Sequence, residues 1–218
     1  MKTQFFSYFK NAGVLLCSAL LLFSCSKNNN DDSPGGSLGN STLTMKVNGE
    51  NWNSFLSTLF TEEEGNSEQG DFRYVSVGGS RIIEKNSATE DDLAETITLF
   101  IAIPESKFRN PKGTYPIILK DFQVGYAWGI FGSSTDLRDT TTYVSGDANN
   151  PEEPVGTLEI TGFKIGEQTV LGHPSGKEGY TQLSGTFHLD VYPLGGVGER
   201  LKITDGKFNI SAGLDFGF

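Results

Sequence analysis

Cysteine is nearly absent from this chain, with two in 218 residues, Cys17 and Cys25. Everything after Lys27 therefore lacks a thiol for a disulfide, a thiolate metal site or thiol chemistry. Histidine is equally scarce. His173 and His188 stand 15 residues apart, without HExxH or comparable spacing, and a catalytic zinc usually takes three protein ligands. Each reads better as a surface residue: His188 on the polar face of a strand, His173 in a loop before Pro174. The glycines form neither G-x-G-x-x-G nor a Walker motif, so nucleotide binding has no support. Serines are numerous, but pairing any of them with either histidine is arbitrary. Positive charge is in deficit, with 17 Lys and Arg against 27 Asp and Glu, a net charge of -10. That balance disfavours nucleic acid and anionic lipid as partners. No apolar run reaches the roughly 20 residues of a spanning helix, and helical apolar periodicity is rare in the rest of the chain.

What the chain does contain begins with Phe9 to Lys27, FKNAGVLLCSALLLFSCSK. Lys2 and Lys10 precede the almost unbroken apolar run Val14 to Phe23, the layout of an export signal. Leu22, Phe23 and Ser24 lead directly into Cys25. This run resembles the lipobox of bacterial lipoprotein signal peptides. The resemblance implies cleavage after Ser24, a lipidated Cys25 as the first mature residue, and acyl chains that hold a soluble domain at a membrane. Plain secretion and a retained membrane helix are the alternatives. Removal of residues 1–24 leaves 194 residues, enough for one sizeable core, and takes the net charge from -10 to -12.

Residues 25–40 carry the lipidated cysteine and then SKNNNDDSPGGSLGN, a polar stretch without apolar periodicity that reads as a flexible tether. Lys27 followed at a distance by Asp31 and Asp32 resembles, in part, a surface-export signal of Bacteroidota lipoproteins. The implied location is the cell envelope, anchored at the outer membrane, with surface display open.

Residues 41–218 read as a single β-rich domain. Leu43, Met45 and Val47 alternate with Thr44 and Lys46 as in a half-buried strand, and Asn48-Gly49 is a favourable hairpin turn returning through Trp52. Thr61 to Asp71 reads as a polar loop and Phe72 to Val77 as a strand. Ile97, Leu99, Ile101 and Ile103 share a face, with Phe100 and Ala102 on the other, which indicates a central strand ended by Pro104. Val124, Tyr126, Trp128 and Ile130 alternate in a further strand. In Thr157 to Ile165 the apolar phase changes, so Gly162 marks a candidate bulge. The clearest alternation sets Leu183, Gly185, Phe187, Leu189 and Val191 against Gln182, Ser184, Thr186, His188 and Asp190. Leu201 and Ile203, then Asp205-Gly206, then Phe208 and Ile210 predict a second hairpin. The sum is an all-β fold, an antiparallel β-sandwich of roughly ten short strands, with a lipocalin-like β-barrel as runner-up.

The opening TMKVNGENWNS resembles uncharacterised Bacteroidota lipoproteins that join a lipobox to an all-β domain. That resemblance implies no established activity and carries no catalytic residue onto this chain, and no cofactor is expected. Two binding features remain. Trp52, Tyr126, Trp128 and Tyr143 are candidates for an aromatic platform for sugar rings or a protein partner. Asp147, Asn149, Asn150, Glu152 and Glu153 are weak calcium candidates, oxygen ligands on one loop, as are Glu90, Asp91 and Asp92. The resulting expectation is a membrane-anchored, non-enzymatic binding or structural module whose partners are membrane lipid, through Cys25, and an envelope glycan or protein. An envelope glycan hydrolase and a carrier of a small hydrophobic ligand are the alternatives.

Overall fold

The computed structural model describes residues 41–67, 70–85, 92–119, 123–134, 140–146, 150–170, 173–194 and 198–212. Cys25 and the tether lie outside them. The expected all-β class is what forms. The strands are β1 Thr42–Val47, β2 Glu50–Asn53, β3 Leu56–Ser67, β4 Gly70–Lys85, β5 Asp92–Pro104, β6 Gly113–Ile117, β7 Ala127–Ser134, β8 Thr140–Ser145, β9 Gly156–Val170, β10 His173–Pro193 and β11 Leu201–Ser211.

They form one sheet in the order β2-β1-β11-β10-β9-β6-β7-β5-β4-β3, with β8 hydrogen-bonded to both β7 and β10. Every pairing is antiparallel except a parallel bridge between Ile117 of β6 and Ala127 of β7. The sheet curls until its halves face each other. Its open ends, β2 and β3, meet at a corner where the Ser54 amide donates to the Leu43 carbonyl (2.8 Å) and the Phe55 amide to the Ser80 carbonyl (2.7 Å). Further along this seam, side chains replace ladder bonds. The Tyr180 amide donates to Thr61 Oγ1 (3.0 Å), and Arg73 Nη1 donates to the Glu178 carbonyl (3.0 Å). The fold is thus a barrel-like sandwich made from one continuous sheet.

Leu43, Trp52, Val75, Ile97, Leu99, Ile101, Phe131, Leu158, Leu183, Phe187, Leu189 and Ile210 fill the space between the halves. A Cβ on Gly129 of β7 would lie 3.1 Å from both Leu189 and Leu99, which measures how closely the layers pack there. One end is closed by Phe108, which follows a single 3-10 turn, Glu105–Lys107. The Arg73 guanidinium lies 3.7 Å over the Phe108 ring and forks onto Glu105 at 2.9 and 3.2 Å. The Tyr180 hydroxyl donates to the Phe108 carbonyl at 2.8 Å.

Several local expectations change. Residues 61–67 continue β3 instead of forming a loop, because they pair with β4 through Ser67↔Gly70. Val170 and the segment after Gly172 belong to one long β9–β10 hairpin. Asp205-Gly206 is a bulge inside a continuous β11, not a turn. Phe187 pairs with Gly206 and Leu189 with Ile203, so Thr204 and Asp205 together face one residue of β10. Asp205 takes φ 53, and a Cβ on Gly206 would fall 2.6 Å from the Phe187 carbonyl oxygen. The same dipeptide chemistry suits a hairpin or a bulge, and pairing to β1 and β10 on either side selects the bulge. In β9, Ile160 pairs with Gly185 and Gly162 with Ser184. The extra residue is Thr161, which accounts for the phase change read beside Gly162.

Candidate functional site

Strands β6, β9, β10 and β11 turn their second face outward, and over it lies a groove of about 620 Å³. Its lining follows from strand alternation. On β10, Phe187, Leu189 and Val191 point into the core, which places Thr186, His188 and Asp190 outside. Cross-strand register then builds rows. Thr114, Glu159, Thr186 and Lys207 form one row across four strands. Thr157 and His188 are opposite in the next, and Asp190 faces Lys202 in the third. The β11 bulge at Thr204 and Asp205 lies along the same groove. An extra residue bends the strand that carries it and raises its twist.

Two of the three groove carboxylates already have cationic partners. Asp190 Oδ2 accepts from Arg200 Nη1 at 3.0 Å, and Asp205 Oδ2 lies 2.9 Å from Lys46 Nζ. The bond from Lys46, with its charge, holds the Asp205 carboxyl below the usual range and raises the lysine in turn. Glu159 is exposed and makes no ion pair with a described residue, and the same is true of Lys202 and Lys207. His188 Nδ1 lies 3.4 Å from Thr157 Oγ1. The groove therefore offers hydroxyls, an imidazole and charges of both signs, on strands whose backbones are already paired.

The four aromatic candidates are not brought onto one surface. Trp52 is wholly buried and its indole Nε1 donates to Glu95 at 2.9 Å. Trp128 points away from the core, because Ala127, Gly129 and Phe131 occupy the inward positions of β7. It stacks on Phe100 with centroids 4.2 Å apart and donates to the Tyr74 hydroxyl at 2.8 Å. Tyr126 is half-buried two positions earlier. Tyr143 packs against the core beside Phe131, with centroids 6.3 Å apart.

Of the calcium candidates, Asp147 and Asn149 lie outside the described residues, as do Glu90 and Asp91, while Asn150, Glu152 and Glu153 are exposed. Among the described residues no three His, Cys, Asp or Glu side chains come together as a metal site. His173 opens β10 and pairs through its backbone with Val170. Sequence alternation identified the polar face of β10, including Thr186, His188 and Asp190. It missed Lys202, Thr204 and Lys207, whose place in the groove depends on the bulge.

No family model matches this chain, and no curated protein or solved structure matches it either.

Proposed function

We propose that this protein is a membrane-anchored envelope lipoprotein, held by acyl chains on Cys25, whose β-domain binds a polar ligand in the β6-β9-β10-β11 groove without transforming it. The observation that carries this reading is the groove itself, an open, hydroxyl-rich face on rigid interior strands. Rigid strands hold side chains in place at small entropic cost, which favours recognition. A hydrolase of glycans needs two carboxylates flanking one bond, one of them kept protonated. Here Asp190 is engaged by Arg200 and Asp205 by Lys46, and none of the three groove carboxyls is buried, so no apolar setting marks one of them as the acid. A carrier of a hydrophobic ligand needs an open lumen, and side chains from both halves of the sheet occupy the interior.

Two measurements test the proposal. Cells fed a labelled fatty acid should incorporate it into the protein, and Cys25→Ser should abolish that label. Equal labelling of the variant would remove the anchor. Amide exchange of the protein with and without fragmented envelope polysaccharide should show new protection at β9–β11. Protection elsewhere, with none at the groove, would move the site.

A further inference from the structure

We infer that the ligand of this groove is an acidic glycan, a chain rich in hydroxyls and bearing carboxylates, held by Lys202 and Lys207. This rests on the groove being the binding site, and it adds the ligand's class.

The backbone excludes one occupant. β9 pairs with β6 and β10, β10 with β9 and β11, and β11 with β10 and β1. The fourth strand, β6, meets β7 only at Ile117↔Ala127 and so leaves an edge at the rim. Over residues 156–160 of β9, β10 and β11, where Lys202 and Lys207 stand, both ladder sides are taken. A peptide lying there cannot add itself as a strand, the usual source of main-chain affinity for an extended peptide. The lining narrows the choice further. The outward side chains are Thr114, Thr157, Thr186 and Thr204 with charged and imidazole groups, and half-buried Val155 adds an apolar patch before β9. Among the lining residues there is no tryptophan or tyrosine, and the one phenylalanine, Phe187, points into the core. A neutral sugar that relies on stacking against an aromatic ring has no anchor here. For a sugar chain, affinity here comes mainly from hydrogen bonds and charge.

The charge has a sign. Asp190 is held by Arg200 and Asp205 by Lys46, with Lys207 also acting on Asp205, so four cations, Lys46, Arg200, Lys202 and Lys207, stand against the three carboxylates of the groove. In a chain of net charge -10, this is a local excess of positive charge beside hydroxyl donors. Lys202 faces Asp190 and Lys207 faces Thr186, so the two lysines stand four positions apart along β10, about 13 Å on an extended strand. A ligand meeting both is an extended chain with repeated acidic groups.

The test uses the full-length protein in native gels cast with polygalacturonate, dextran or poly-glutamate. Polygalacturonate should retard the protein, increasingly so at low salt, and dextran should not. Replacing both lysines, Lys202→Gln with Lys207→Gln, should weaken retardation about tenfold or more, the scale of losing hydrogen bonds to charged groups. Glu159→Gln should strengthen it, an effect that a variant merely misfolded would not show. Retardation by dextran equal to that by polygalacturonate, unchanged by the lysine substitutions, overturns the acidic class while leaving the groove as a binding site. Equal retardation by poly-glutamate overturns the glycan class. Retardation by none of the three overturns the inference, and the exchange experiment on β9–β11 then decides separately whether the groove binds anything.

Discussion

The indole N–H of Trp52 donates to the carboxylate of Glu95 at 2.9 Å, across 43 residues of sequence. The same carboxylate oxygen accepts from Arg81 Nε at 2.9 Å, and Arg81 Nη1 reaches the Asn51 carbonyl at 3.1 Å. One acid thus ties β2 to β4 and β5 at the corner where the ends of the sheet meet. A buried indole needs a partner for its N–H, and Glu95 supplies it. Glu95→Ala leaves that N–H and the Arg81 guanidinium short of a partner, and should cost about 1–3 kcal/mol. Trp52→Ala also empties core volume and should cost about 3–5 kcal/mol. Urea unfolding of the two variants checks both values. A Trp52→Ala loss no larger than that of a surface substitution would contradict the buried placement.

The β11 bulge gives a second prediction. Gly206→Ala forces a methyl to within 2.6 Å of the Phe187 carbonyl oxygen and 2.7 Å of its ring. The backbone must shift, and overpacking of this kind costs about 1–3 kcal/mol. Gly129→Ala, whose neighbours Leu189 and Leu99 are side-chain termini 3.1 Å away, should be milder. Thermal melts of the two variants should rank in that order. The reverse ranking would mean that Asp205-Gly206 has another conformation.

Alkaline pH should weaken the fold through two buried tyrosines. Burial pushes the Tyr115 hydroxyl up from 10.0 to about 12 and the Tyr180 hydroxyl higher still, helped by its neighbour Tyr115. The unfolded chain ionises these phenols near their ordinary value while the folded chain resists. Their contribution is whole below about pH 10 and is lost as pH rises from there through the folded values. The urea midpoint should fall steeply above pH 10. Tyr180→Phe removes the bond to the Phe108 carbonyl, lowering stability at pH 8, and should flatten the alkaline fall. An unchanged slope would show that these phenols do not govern it.

Phe108 seals one end of the sandwich beneath Arg73. Phe108→Ala should cost about 3–5 kcal/mol and release the Arg73 stacking contact. If the interior is filled, the wild-type protein should not bind an apolar fluorescent probe under native conditions, whereas the variant gains that binding. Strong probe binding by the wild type, displaced by fatty acid, would revive the carrier reading.

Much of the architecture is written in local pattern. Asn48-Gly49 makes its hairpin with both residues at positive φ, 49 and 90, a geometry that dipeptide favours wherever it stands between strands. Leu183 to Val191 alternates so regularly that its inward and outward faces are legible before any partner is known. Ile97 to Ile103 announces a central strand by being apolar on both sides. In each case the information lies within a few residues, because strand alternation and turn geometry are short-range properties.

Other features depended on partners distant in sequence. Residues 61–67 are polar, and only pairing with β4 makes them a strand. Asp205-Gly206 suits a turn or a bulge equally, and β1 and β10 decided. Trp128 and Ile130 look like the core phase of β7, yet the smaller Ala127 and Gly129 face inward, because Leu99 and Leu189 already fill that space. The groove is of the same kind. Its threonines, lysines and carboxylates come from four strands, and no stretch of sequence holds more than a part of it. On β10, alternation alone decided which side chains face outward. Which of them became neighbours was set by register and the bulge, both properties of strand pairing across the sheet.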